Sequence, residues 1–449
     1  MIELLLLFAL AGLMQAARSF TVGVIGGTEL AFGFLLLTAF FAGRVVSRFG
    51  LPRLTGYLIA GVVAGSGLLD LVTTDMTKSL SVVNSVASCI LGLTAGAELN
   101  LKKVKPLART LRGLISFGVL GGIAILTGVL YLIRPMIPLF APMDGVQSIA
   151  VCALLAVALI PQSPAVVMAI LSETKADGPL SQTMLATVVV ADLVVIVCYA
   201  IASAVAGLFV GGGVDLMVTM RDVAWELFGS IGFGIVIGLV IGSYLRTVKE
   251  GAALFSLMIC VVVAQVGSRV HLDPLVVMLA AGIWLENFSR AGSHDLLSGF
   301  ESAQLPVFLV WFALAGLRLD LLTLVALIVP VVIIAATRGL TFYVGSKMAM
   351  TGADPPPAVK KSGWVGLVPQ AGLSLAFATL MANTKAFSFG AEASTIILSV
   401  LAVNQLIAPV LVRRAVISAG EAGAKDQPDF AANAQRNTPL PFEAVKPPP

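Results

Sequence analysis

Fourteen predominantly apolar runs fill most of the chain from residue 2 to residue 412, at about 2–17, 24–43, 54–72, 79–98, 113–133, 146–171, 183–208, 226–244, 252–267, 274–288, 303–317, 321–346, 363–382 and 393–412. Such runs suit a bilayer, whose hydrocarbon core of about 30 Å is crossed by about 20 helical residues. A soluble domain could not bury them, because 58% of the 449 residues are hydrophobic and only 12% are charged. The runs lack the period-two alternation of a membrane β-barrel. The expected fold class is therefore all-α, a polytopic membrane protein with 13–14 transmembrane helices.

Charge orients those helices. Assigning alternate connections to one side places twenty lysines and arginines there, among them Arg44, Arg48, Lys102, Lys103, Lys175 and Arg246, and leaves seven on the other side. Positive charge marks the cytoplasmic side, so a multi-pass protein of the bacterial inner membrane with its C-terminus in the cytoplasm is expected. The first run begins Met1-Ile2-Glu3. Signal peptides usually begin basic, so a retained helix is expected there. Residues 413–449 turn polar and proline-rich and end in three prolines, which reads as a disordered cytoplasmic extension of a membrane domain spanning 1–412.

The two halves of the chain echo each other. AGAELNL at 95–101 matches AGLRLDL at 315–321, and Ala60-Gly61 matches Ala281-Gly282. IPQS at 160–163 matches VPQA at 368–371, and VADLV at 190–194 loosely matches VNQLI at 403–407. The charge rule places the loop after Leu99 inside and the loop after Leu317 outside. The expected repeats, about 54–208 and 274–412 with 226–267 linking them, are therefore inverted in the membrane. Pro161 and Pro164 in one repeat, and Pro369, Gln370 and Gly372 in the other, interrupt their runs at equivalent places. Paired interrupted helices point to a binding site near the midplane.

One carboxylate, Asp192, falls deep inside the run 183–208. At the bilayer centre such a group costs at least about 2.5 kcal/mol on insertion scales, which makes it a functional candidate. Glu29, Glu98, Glu286, Glu301 and Asp320 lie near run ends, where anchoring or capping accounts for them. A proton and a small cation each neutralise Asp192, so competition between them would constitute antiport. The side chains of Gln162 and Ser163, with carbonyls freed at Pro161 and Pro164, would supply further oxygens for a hard monovalent ion. Arg338 is the one basic residue well inside a run, placed either to pair with Asp192 or to lean on carbonyls at a helix break. Cys89, Cys152, Cys198 and Cys260 read as apolar packing residues. Only His271 and His294 exist, and neither a His-Glu-x-x-His motif nor a Ser/His pair appears, so an enzyme is not expected.

The segments GYLIAGVVAG (56–65), LTAGAELNLKK (93–103), SPAVVMAIL (163–171), VVVADLVVI (188–196), LPVFLVWFALAGLRLDL (305–321) and GLVPQAGLSLAFA (366–378) together resemble the monovalent cation:proton antiporter superfamily, in the branch of bacterial sodium/proton exchangers and potassium efflux proteins. The resemblance covers about residues 31–412. It implies a homodimer in membrane lipid, each protomer having a dimerisation domain and a core in which two broken helices, 146–171 and 363–382, cross and move elevator-fashion. It implies that Asp192 carries the ion, Na+ or K+ in exchange for H+, with Arg338 as a supporting charge. No cofactor is implied. The sequence departs at Ala191, where the family usually has Asp or Asn, and at Val188, where some members have a hydroxyl. Both departures bear on selectivity. With one buried acid and a permanently charged arginine, electroneutral exchange is expected. The alternatives are an organic-anion transporter on a similar scaffold, with Arg338 as its clamp, and a sensory or channel-like relative that has lost exchange.

Overall fold

The computed structural model describes residues 2–20, 27–65, 67–210, 221, 224–248, 251–270, 272–289, 294–317, 321–383 and 387–424. These form helices and no strand. Helices α1 (Ile2–Phe20), α2 (Gly27–Arg48), α3 (Arg53–Ala64), α4 (Ser81–Glu98), α5 (Gly121–Ile133), α6 (Gly145–Leu159), α7 (Pro164–Glu173) and α8 (Pro179–Val210) make up the first half. Helices α9 (Ser230–Thr247), α10 (Ala252–Val270), α11 (Pro274–Phe288), α12 (His294–Leu317), α13 (Ile328–Thr351), α14 (Gly372–Asn383) and α15 (Gly390–Ser418) follow. Among the described residues, eight helical stretches are long and apolar enough to cross a membrane, and six shorter apolar helices of 10–17 residues account for the remaining predicted runs.

Local chemistry sets the helix ends. At α6 the Asp144 carboxylate accepts from the Val146 and Gln147 N–H groups, and the Gln147 side chain accepts from the Asp144 N–H. This reciprocal cap satisfies amides that the helix itself leaves unpaired. The third run, expected to reach residue 72, corrects to a helix that stops at Ala64. Beyond it the chain folds back, with the Leu69 N–H bonding Val63 O and the Val72 N–H bonding Ala64 O, and turns at Asp70 with φ +46°.

Packing sorts the helices into two groups. One contains α1–α4 and α9–α12; the other contains α5–α8 and α13–α15. Within the first group, α3 crosses α12 at Gly61 and Gly316, and α4 crosses α11 at Gly96 and Gly282. A methyl group added at any of the four would lie within 2.0–2.3 Å of a backbone carbonyl oxygen. The numbering offsets of the repeat map Gly61 onto Gly282 and Gly96 onto Gly316, so one crossing is the repeat equivalent of the other. Close backbone approach at small residues is how helices associate where lipid removes the hydrophobic drive.

Among the described residues, several long-range hydrogen bonds join chain segments near helix ends that the charge rule places on the same side. On the charge-rich side, Glu173 accepts from the Arg53 N–H, Arg413 donates to Gly50 O, and Asn100 donates to Glu286. On the charge-poor side, Trp225 donates to Val270 O, Ser230 accepts from the Asp273 N–H, and Gln147 donates to Phe209 O. At the first helix, Glu3 pairs with Arg44 and Arg48 of α2.

The segment after residue 412 is not disordered at its start. Helix α15 runs to Ser418, and Glu421 is buried at the first turn of α8. Its carboxylate accepts from the Leu180 N–H at 2.7 Å, the Ser181 N–H at 2.8 Å and the Ser181 hydroxyl at 2.7 Å. An acid at a helix N-terminus satisfies orphan amides and favours the dipole, so polar composition here signals a cap. Residues 425–449 lie outside the described residues, as do His271, Asp320 and the side chains of Glu98, His294 and Glu301. Removing the cap in Glu421→Ala is expected to destabilise the detergent-purified protein by about 2 kcal/mol, read as a lowered thermal midpoint. Glu421→Asp should recover part of the loss.

Candidate functional site

The two interrupted helices meet at their breaks. In the first, α6 ends at Leu159, Ile160-Pro161-Gln162-Ser163 are extended or irregular, and α7 restarts at Pro164. Pro161 and Pro164 have no N–H to continue the ladder, and Pro164 suits the first helical position. Ser163 is the N-cap, its hydroxyl oxygen accepting from the Val166 N–H at 3.2 Å. In the second, a tight turn over Gly363–Leu367 gives way to Val368-Pro369-Gln370-Ala371 before α14 begins at Gly372. Leu159 O accepts from the Gln370 side chain at 3.2 Å, so one break reaches across to the other.

Each break leaves carbonyls on one side and N–H groups on the other, and the two sides are treated differently. Arg338 of α13, fully buried, addresses the carbonyls. Its guanidinium donates to Pro161 O at 2.7 Å, Val368 O, Leu367 O at 3.3 Å and Ile160 O at 3.4 Å, and lies over the Phe342 ring at 4.9 Å. One cation thus caps two helix C-termini. Of the two placements expected for Arg338, the structure takes the carbonyls, and none of its hydrogen bonds goes to Asp192.

Asp192, in the middle of α8, is associated with the opposite ends. It lines a cavity of about 610 Å³ together with Gln162, Ser163, Pro164 and Ala165 at the start of α7, and Ala371, Gly372 and Leu373 at the start of α14. Its Oδ1 is shielded from solvent and has no hydrogen-bond partner. An anion beside two helix N-termini is electrostatically favoured, which is how the fold tolerates it at this depth.

The cavity lies between the two helix groups. Its other wall comes from Asn84, Ser85 and Ser88 of α4, Asp273 and Pro274 at the start of α11, and Trp311 and Ala315 of α12. Asp273 is a second acid that sequence reading missed. Its carboxylate caps α11, accepting from the Leu275 N–H at 2.7 Å and the Val276 N–H at 3.1 Å. The Asp-Pro pair at a run start was the available signal. Among the described residues no three His, Cys, Asp or Glu side chains converge as a metal centre.

Of the residues singled out from sequence, Asp192, Gln162, Ser163, Pro164 and Gly372 come together on the cavity wall. Pro161, Pro369 and Gln370 are at the crossing with Arg338 and are not among the lining residues. Gln370 is buried in a network that sequence did not reveal: its amide donates to the Ser374 hydroxyl at 2.8 Å, and its Oε1 accepts from Asn404 at 2.7 Å. Gln405 of α15 lines the cavity and was also missed. Its signal was the match of VNQLI to VADLV, which places it opposite Asp192.

A family model described as "Sodium/hydrogen exchanger, transmembrane" matches residues 36–417. Two solved structures of the sodium proton antiporter MjNhaP1 from Methanocaldococcus jannaschii are similar to this chain. One, at pH 8, aligns with TM-score 0.62 and 13% identity over 87% of this chain and 98% of the other. The second, from an electron-microscopy map, aligns with TM-score 0.68 and 16% identity over 87% and 95%. At these identities the likeness is one of fold. No curated protein matches the sequence at a significant level.

Replacing Arg338 by Met keeps much of the volume but strips the carbonyls at both breaks of their donor. It is expected to destabilise the protein by about 3–5 kcal/mol, seen as a sharply lower thermal midpoint and early aggregation in detergent. Arg338→Lys restores charge without the planar fork and should fall between the two.

Proposed function

The chain belongs to the sodium/hydrogen exchanger family, and we propose that it is a secondary active transporter exchanging a monovalent cation, Na+ or K+, for H+ at the single carboxylate of Asp192. The observation that carries this reading is the Asp192 Oδ1 atom, buried and without a partner on the wall of a cavity between two helix groups. A proton or a cation supplies the missing partner, and the two cannot bind together. The ionised carboxylate alone is costly to move past apolar neighbours, whereas the loaded site is neutral. Only loaded forms therefore cross, and competition for one site becomes coupled exchange.

The break-bearing group, α5–α8 with α13–α15, carries Asp192, and the partner group supplies the opposite wall. Movement of the first against the second, elevator-fashion, would expose Asp192 to each side in turn. The cavity is lined by the charge-poor ends of α4, α11 and α14, at Asn84, Asp273 and Thr379. With the charge-rich face in the cytoplasm of a bacterial inner membrane, this supports an outward-open state. The repeats at about 54–208 and 274–412, linked by 226–267, supply the two equivalent breaks. We take the assembly to be a homodimer through the partner group, which would stay fixed. Because Arg338 is committed to carbonyls and is not among the lining residues, the cavity's own charge favours a cation over an organic anion.

Arg338 keeps its charge and its carbonyl partners in both loaded states, so one cation should exchange for one proton. In proteoliposomes carrying an internal pH dye, Na+- or K+-driven proton movement is expected in the wild type and should be lost in Asp192→Asn. Retained exchange in that variant would remove Asp192 from the mechanism. Clamping the membrane potential should leave the rate unchanged, and a potential-dependent rate would exclude one-for-one exchange. Direct competition also predicts that the apparent KM for the cation rises as pH falls, by up to about tenfold per pH unit at the acidic limit.

A further inference from the structure

Among the described residues that line the cavity, three have a side-chain oxygen that is shielded from solvent and has no hydrogen-bond partner: Asp192 Oδ1, Gln162 Oε1 and Gln405 Oε1. Gln162 and Gln405 are 1% and 3% exposed. A buried carbonyl oxygen left unpaired costs stability, so two amides in this condition beside one carboxylate call for an explanation. They arise from three separate elements, the first break, α8 and α15.

The repeat explains why the Gln162 oxygen is free while that of its counterpart Gln370 is not. The match of 190–194 to 403–407 equates Asp192 with Gln405 and Ala191 with Asn404, and the match of 160–163 to 368–371 equates Gln162 with Gln370. In the second half, Asn404 donates to Gln370 Oε1 at 2.7 Å and so occupies it. The equivalent donor in the first half would come from position 191, which is alanine. The Gln162 amide nitrogen is held by Ile160 O, so the side chain is anchored while its oxygen stays open.

We propose that Ala191 leaves the Gln162 side-chain oxygen free to serve, together with Gln405 Oε1 and Asp192 Oδ1, as the ligand set for the transported cation, making Gln405 the second repeat's neutral counterpart of Asp192. The set holds one negative charge and two neutral oxygens, suited to a dehydrated monovalent cation. The proton needs only Asp192, so the amides affect the cation branch of the competition and not the proton branch. This deepens the exchange reading and rests on it.

Two variants test the assignment. Gln405→Met conserves shape and removes the oxygen. Ala191→Asn restores a donor to Gln162 and so removes the other ligand while satisfying a buried acceptor. In proteoliposomes each is expected to raise the apparent KM for Na+ or K+ about tenfold, since a ligand worth one charge-assisted contact is lost. The pH dependence of proton competition should be retained, and the Na+/K+ preference should shift. In detergent, the rise in thermal midpoint on adding NaCl or KCl, against choline chloride at equal ionic strength, should shrink in both. Should Ala191→Asn fail to fold, Gln162→Met replaces it in the same two measurements. A wild-type KM and selectivity in Gln405→Met, in a wild type that exchanges, would overturn the ligand set while leaving the exchanger reading intact. A wild type that moves no protons with either cation would overturn the exchanger reading. In that case salt-dependent stabilisation lost in Gln405→Met would still support the ligand set, and stabilisation unaffected by it would refute both.

Discussion

Interrupting a helix inside a bilayer uncovers backbone carbonyls on one side of the break and N–H groups on the other, and lipid can satisfy neither. Here two helices are interrupted beside each other, which doubles the burden and makes it tractable. The carbonyls of both breaks lie within reach of one guanidinium, Arg338, and the N-terminal ends of both restarting helices flank one cavity containing Asp192. Opposite charges of the helix dipoles are met by opposite side-chain charges on opposite sides of the crossing. The remaining helices place these two residues and enclose the space between them.

The same arrangement leaves Asp192 without a charged partner among the described residues. Arg338 could have neutralised it directly, giving an inert buried ion pair. Because the arginine is held by four carbonyls, the acid keeps an unpaired oxygen beside a cavity, the condition on which the proposed exchange rests. Asp273 presents the contrasting case. It lines the same cavity, but its carboxylate is fixed in place as the cap of α11: both amides bond Oδ1, and among the described residues Oδ2 is left without a hydrogen bond.

Much of this was legible along the chain. Hydropathy located all fourteen runs, because a residue's preference for lipid is local and additive. The Pro-Gln breaks and the single deep acid stood out because proline and a carboxylate are expensive at that depth whatever surrounds them. The third run was overextended because Gly65 to Val72 are nearly as apolar as a helix yet turn back at Asp70. The start of the segment 413–449 was read as disordered, since a polar segment that caps a distant helix has the composition of one that caps nothing. For Ala191 the sequence suggested only a missing polar group. Its consequence, an open oxygen on Gln162, depended on seeing Asn404 occupy the equivalent oxygen of Gln370.

The chain by itself therefore determined that it is a membrane-embedded helical protein, where its helices break, which loops share a face and which acid lies deepest. These follow from transfer energies and backbone geometry, which each segment carries with it. Only the tertiary structure decided that Arg338 binds carbonyls in place of Asp192, that Asp273 is a cap, and that Gln405 shares a wall with the acid. Those outcomes are choices among partners, and a partner is set by which helices approach each other and with what rotation, information that no single segment contains.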